Sequence, residues 1–186
     1  MATRHFQDAT FDHGAQFFTV RTEHFGCRVA TWRQQGVVEE WYSLDPNSRN
    51  PASHCRFRGP PSMNAPAKKL AEHLRVVSGT QITGLSRLND EWHAQSACGK
   101  TFEATHLVLT APAPQAHHLL SENDVRSLAT GFDSLSHIRY DKCIATMAIL
   151  DGPSGIISPG ILRRTQGDAV ALIVDNQLKG ISPVPA

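Results

Sequence analysis

Net charge is nearly absent from this chain, in which 18 Lys and Arg stand against 17 Asp and Glu for a formal charge of +1. A broad nucleic-acid footprint needs a basic stripe, and Lys68-Lys69 and Arg163-Arg164 are only pairs, so no nucleic-acid partner is expected. Closely spaced cysteines are missing too. Cys27, Cys55, Cys98 and Cys143 lie far apart, which removes the CxxC spacings of zinc and redox motifs. Scattered thiols point to a reducing, cytoplasmic setting. The ten histidines are spread out, and adjacent His117-His118 would not share a helix face, so no metal is expected. Met1 to Asp12 holds no apolar leader core. No run of about 18 apolar residues occurs, so neither a signal peptide nor a membrane helix is expected. A GxGxxG loop is lacking as well, because Gly14, Gly26 and Gly36 have the wrong spacing.

What is present is ordinary for a globular chain: 186 residues, 40% hydrophobic and 19% charged. A chain of this length buries about 70% of its unfolded surface, enough for a core without disulfides or metal.

Phe11–Val20 reads as a strand entering a loop. Phe25, Val29 and Trp32 recur at helical spacing over Glu23–Gln35, and Gly36 stops the run. Val37–Ser43 and His54–Arg58 read as strands flanking a polar surface loop, Asp45–Ser53, with the composition of a lid. Ser62 caps an expected helix over Met63–Leu74, whose stripe is Met63, Ala67, Leu70, Ala71 and Leu74. Gln81–Leu88, Glu91–Ala97 and Thr101–Glu103 form a meander signature. His106–Thr110 reads as a strand buried on both faces. Helices are expected over Gln115–Leu120 and Val125–Leu135, a long strand over Tyr140–Leu150, and strands over Ile156–Arg164 and Ala169–Asp175 joined by a Gln166-Gly167-Asp168 turn. The mixture is α+β, or a mixed α/β sheet domain.

Candidate chemistry is sparse. Asp12, Glu39 and Glu40 read as solvated carboxylates. Trp32, Trp41 and Trp92 read as packing residues, with Trp41, beside the polar loop, the best placed for a ligand. No Ser-His-Asp or Cys-His set can be drawn, because spatial adjacency is not written in the sequence. Catalytic residues are therefore unassigned.

Four ordered stretches carry a resemblance. They are Met1-Ala2-Thr3-Arg4 followed by Phe11-Asp12-His13-Gly14-Ala15-Gln16-Phe17-Phe18-Thr19; Trp32-Arg33-Gln34-Gln35-Gly36-Val37-Val38 with Trp41; Gly59-Pro60-Pro61-Ser62-Met63-Asn64; and Thr110-Ala111-Pro112-Ala113-Pro114-Gln115-Ala116. Together they resemble bacterial renalase-like FAD-dependent oxidoreductases of the flavin-containing amine-oxidase superfamily. The family places a Gly-Gly-Arg turn before the first piece and a Gly-Ala-Gln-Tyr-Phe-Thr segment at the second. His13 departs from a common family pattern, an apolar residue before the glycine, and receives no catalytic role.

The resemblance implies a substrate-domain sheet plus part of an FAD-binding domain of the amine-oxidase type, lacking the N-terminal βαβ dinucleotide unit. It assigns 1–36 and 59–121 to the FAD-binding region, and 37–58 and 122–186 to the substrate domain. It places Thr3 and Arg4 beside the flavin phosphates and Gly14, Ala15 and Gln16 beside the isoalloxazine ring. It brings the strand bearing Ile82 to the adenine, and sets Thr110, Ala111 and Pro112 against the adenosine. The implied reaction oxidises isomeric dihydronicotinamide dinucleotides by hydride transfer to the flavin, with reoxidation by dioxygen. An amine oxidase of the same superfamily and a non-catalytic remnant are the alternatives. Partners are a small-molecule substrate and, through an exposed sheet edge, a second copy of the chain; no membrane is expected.

The family's GxGxxG unit would precede Met1 and its second flavin segment would follow Ala186, so the resemblance implies a chain truncated at both ends and inactive alone. On that expectation the purified chain is colourless and does not retain FAD, its main phosphate cradle being elsewhere. A yellow protein carrying about one equivalent of flavin by absorbance overturns this expectation.

Overall fold

A computed structural model describes residues 2–43, 54–122, 125, 131–163, 167 and 169–186. The chain divides into two compact units, Met1–Arg75 with Ile144–Ala186, and Val76–Cys143.

The first unit opens with a hairpin of β1 (Thr3–Phe6) and β2 (Ala9–Asp12), paired antiparallel from Thr3↔Asp12 to Phe6↔Ala9. Gln7 takes the left-handed turn position at φ 50°. The outer edge of β2 is covered by side chains: the Thr10 N–H donates to Ser182 Oγ at 3.3 Å and the Asp12 N–H to Asn176 Oδ1 at 3.4 Å. An edge strand is thereby closed to further pairing. After β3 (Phe18–Thr19) comes α1 (Glu23–Gln34). Thr22 caps it by accepting from the Phe25 N–H at 3.3 Å, and Glu23 and Arg33 suit the helix dipole at either end. Its C-terminus closes through left-handed Gly36, φ 68°, with the Val37 N–H donating to the Trp32 carbonyl at 2.8 Å.

The apolar face of α1 packs Val29 and Trp32 against Val38 and Phe57, with Phe18 and Phe25 around them. The sheet beneath it runs β3-β5-β4, where β4 is Glu39–Tyr42 and β5 is Arg56–Arg58. Phe18 opposes Phe57 across the ladder, and their rings stack at 5.6 Å. Glu39 and Glu40 are exposed, as expected, and pair with Arg58 at 2.9 Å and Arg33 at 3.0 Å. Helix α2 (Ala65–Ala71) is shorter than the expected Met63–Leu74. Met63 is fully buried, but Leu70 is 60% exposed. The proposed stripe therefore fails after its first turn. Strands β9 (Ile161–Arg163) and β10 (Leu172–Val174) pair antiparallel, each shorter than the sequence suggests.

The second unit is built on the expected meander: β6 (Ile82–Leu88), β7 (Glu91–Ser96) and β8 (Thr101–Ala104). Asn89 and Asp90 both have positive φ, the geometry of a tight two-residue hairpin turn. Helix α3 (Ala113–Ser121) buries Ala113, Ala116 and Leu120. Its first N–H donates to the Tyr140 hydroxyl at 3.1 Å. Leu85, Leu120, Val125 and Phe132 form the core, the last from α4 (Phe132–Leu135).

Two expected strands are absent. His106–Thr110 has no ladder among the described residues; Leu107 and Leu109 are half-buried while Val108 is 83% exposed. Tyr140–Leu150 likewise pairs with no strand, and Ile144 is 92% exposed. Apolar, β-branched composition fits a strand only where a neighbour takes its backbone groups, and among the described residues no strand does so. The lid-like loop Asp45–Ser53, most of the expected helix before Phe132, and Gln166 and Asp168 of the expected turn lie outside the described residues. The architecture is mixed α+β, with several antiparallel sheets and few helices.

The core makes an unequal pair of substitutions. Trp32→Ala is expected to cost about 3–5 kcal/mol in urea unfolding, whereas Leu70→Ala stays within about 0.5 kcal/mol of wild type. Equal losses would place the core elsewhere.

Candidate functional site

Asp12 ends β2 and carries no solvent-exposed side-chain surface, so the expectation of a solvated carboxylate is overturned. Its carboxylate accepts from the Thr3 hydroxyl at 2.7 Å, from the Met63 N–H at 3.1 and 3.2 Å, and from Lys179 Nζ at 3.0 Å. Each donor comes from a different part of the unit: the facing strand of the hairpin, the segment before α2, and the C-terminal turn. Burying a carboxylate costs several kcal/mol unless such partners replace water.

Lys179 is the counter-charge, with a fully buried side chain. The turn that presents it is heavily tied. Asp175 accepts from the Leu178 N–H at 2.8 Å and from the Ser154 hydroxyl, and the Lys179 carbonyl accepts from Arg58 Nη1. Gly160 lets this turn sit close: a Cβ there would meet Leu178 Cβ at 2.7 Å, and its φ of 83° is strained for other residues. The ammonium donates to Asp12 and, at 3.0 Å, to Gln16 Oε1, and it stands 5.2 Å from the Trp41 ring centre. Burial pushes the Lys179 ammonium below its ordinary pKa, and the neighbouring Asp12 carboxylate partly opposes that shift.

Gln16 is held at both ends, because its amide also donates to the Asp12 carbonyl. The His13 and Gly14 N–H groups donate to the Ala2 carbonyl at 3.0 and 3.3 Å. With Gln16 turned inward, the Gly14-Ala15 step is left exposed, carrying nothing larger than a methyl group. Beside it stands an aromatic cluster. Phe17 lies 6.2 Å from Trp41 and 6.4 Å from Tyr42, and Trp41 meets Tyr42 edge-on at 4.9 Å. The Trp41 indole donates to the Pro159 carbonyl at 2.8 Å.

The sequence-assigned positions are thus distributed. Thr3, Arg4, Gly14, Ala15 and Gln16 lie in the first unit, where Thr3 and Gln16 join Asp12 directly. The Thr3 hydroxyl is committed to that carboxylate, while Arg4 is exposed on β1. Ile82, Thr110, Ala111 and Pro112 lie in the second unit. Ile82 packs at the margin of the core on edge strand β6, so alternate backbone groups face away from β7. Thr110, Ala111 and Pro112 are exposed just before α3. Lys179 went unnoticed in the sequence. A single lysine followed by glycine carries no spacing signal, and only burial reveals its role.

Among the described residues no group of three His, Cys, Asp or Glu gathers as a metal site, and no helix is long and apolar enough to cross a membrane. All four cysteines are free. No family model matches the chain.

Lys179→Met leaves Asp12 buried without its counter-charge and is expected to cost about 3–5 kcal/mol. The pH dependence has a defined sign. Between the lowered folded pKa of Lys179 and its ordinary 10.5, the native state binds fewer protons than the unfolded state, so this group makes stability rise with pH there. Urea unfolding over the alkaline range should show that rise in wild type and a smaller one in Lys179→Met. Parallel profiles would refute the assignment.

Proposed function

We propose that this chain forms part of a renalase-like FAD-dependent oxidoreductase, built on the substrate domain and part of the FAD-binding domain of an amine-oxidase-type enzyme. The observation that carries the reading is the buried Lys179–Asp12 pair fastened to Gln16 behind the open Gly14-Ala15 step. The ordered resemblance puts the isoalloxazine ring at that step.

FAD, when bound, supplies the hydride acceptor and the route of electrons to dioxygen. The chain's own residues bind and orient. In this reading Gly14 and Ala15 admit the ring, and the resemblance assigns Thr3 and Arg4 to the phosphates. Lys179 places a fixed positive charge behind the ring bed, and fixed charge near a flavin tunes its electronics. Gln16 holds the bed in one geometry, which is how a protein reduces the entropic barrier of a transfer step. Asp12 does not serve as a base in this scheme, since three donors already occupy its carboxylate. Hydride transfer from a dihydronicotinamide ring needs no such base. Isomeric dihydronicotinamide dinucleotides, the substrates the resemblance implies, are compatible with that arrangement.

The reading is tested by titrating the purified chain into FAD and following flavin fluorescence. Binding without retention through purification is expected, with quenching at excess protein. Ala15→Trp should weaken it by about tenfold or more, a loss of roughly 1.4 kcal/mol or greater, whereas Ala15→Gly leaves it intact. Absence of quenching, or indifference to Ala15→Trp, would sink the proposal. With FAD in excess, peroxide supported by amines and not by dihydronicotinamide isomers would favour the amine-oxidase alternative.

A further inference from the structure

We infer that residues 106–110 are a pairing edge for a second copy of this chain, joined antiparallel about a two-fold axis at Val108. The inference goes beyond the flavin reading and does not rest on it, since the segment lies in the second unit and its test involves no cofactor.

The segment has the shape of a strand without the bonds of one. Burial alternates along it: Leu107 and Leu109 are half-buried, while His106, Val108 and Thr110 are exposed. That two-residue period belongs to extended backbone with one face on a core. Both leucines pack against the cluster of Leu85, Leu120, Val125 and Phe132, so side-chain packing holds the segment in place. The backbone is left over. None of the five residues shares in a ladder, and none makes a backbone hydrogen bond to another described residue. Water serves those groups in a lone copy, and a neighbouring strand would serve them in a sheet.

The occupant follows from what is missing. A row of backbone partners is supplied by another extended backbone. Exposed edges are normally guarded by charge, lysine above all, yet between Glu103 and Glu122 no Asp, Glu, Lys or Arg occurs. The segment is also its own complement. Antiparallel pairing about Val108 sets Leu107 beside Leu109 of the second copy on the core-facing side. It sets Val108 against Val108 on the other side and His106 against Thr110, with no like charges opposed. A net charge of +1 leaves two copies little to repel them. Such a contact uses the same edge twice and closes at two chains.

The test is sedimentation of the full chain from about 10 µM to 1 mM, the range suited to a small interface. The mass should rise from one chain towards two across it, and the amides of 106–110 should exchange with solvent more slowly as concentration rises. Val108 is 83% exposed, so its substitution should leave the unfolding profile intact. Val108→Lys opposes two ammonium groups at the axis and should weaken dimerisation by about tenfold or more, and Val108→Glu likewise. An equimolar mixture of these two variants should regain it, because a two-fold axis at residue 108 sets one against the other. A single-chain mass throughout, amide exchange indifferent to concentration, association unchanged by Val108→Lys, or variants that stay apart when mixed overturns the inference.

Discussion

A buried ion pair between residues 167 positions apart holds the first unit to one arrangement. Lys179 arrives on the C-terminal turn and Asp12 at the end of the N-terminal hairpin, and each supplies the other's counter-charge. The pair also recruits Thr3, the backbone at Met63, and Gln16. Loop closure over so long a stretch costs only slowly more with length, so one well-satisfied contact is sufficient to define which distant segments meet. The flanking bonds from Thr10 to Ser182 and from Asp12 to Asn176 repeat the same junction without charge.

Such a pair is a poor device for stability alone. Apolar residues of similar volume often serve as well, because desolvation consumes most of the Coulomb gain. Its presence here makes sense as a means of specification. An apolar substitute would fill space but would not donate to Gln16, which joins the Lys179 ammonium to the chain just after the Gly14-Ala15 step. The lowered pKa of Lys179 records the burial that this arrangement requires. Lys179 reaches the segment the resemblance assigns to a flavin through Gln16, and groups with perturbed pKa values tend to gather at functional sites.

Local features were legible in the sequence and distant ones were not. Phe25, Val29 and Trp32 announced α1 because a 3.6-residue period is visible without partners. The Asn89-Asp90 turn announced the meander for the same reason. His106–Thr110 and Tyr140–Leu150 misled, since apolar runs state a tendency while a strand requires a neighbour. Leu70 misled differently: spacing placed it on a stripe, but within α2 that stripe faces solvent, with Ala67 and Leu70 both exposed. Of the site, Gly14, Ala15 and Gln16 could be singled out by their order along the chain. Asp12 was visible only as a carboxylate beside them, and Lys179 was invisible. Burial and pairing decide the character of an ionisable group, and both depend on contacts across the whole unit.

The same distinction governs charge. A net value of +1 excludes a broad basic surface, yet it is silent on how the charges are spaced. In the first unit the acidic residues of β4 neutralise Arg58 and Arg33, and Asp12 neutralises Lys179. Arg163 then stands beside the aromatic cluster with Arg56 facing the same ring. In a nearly neutral chain the character of each charge is thus settled by which opposite charge its fold brings to it.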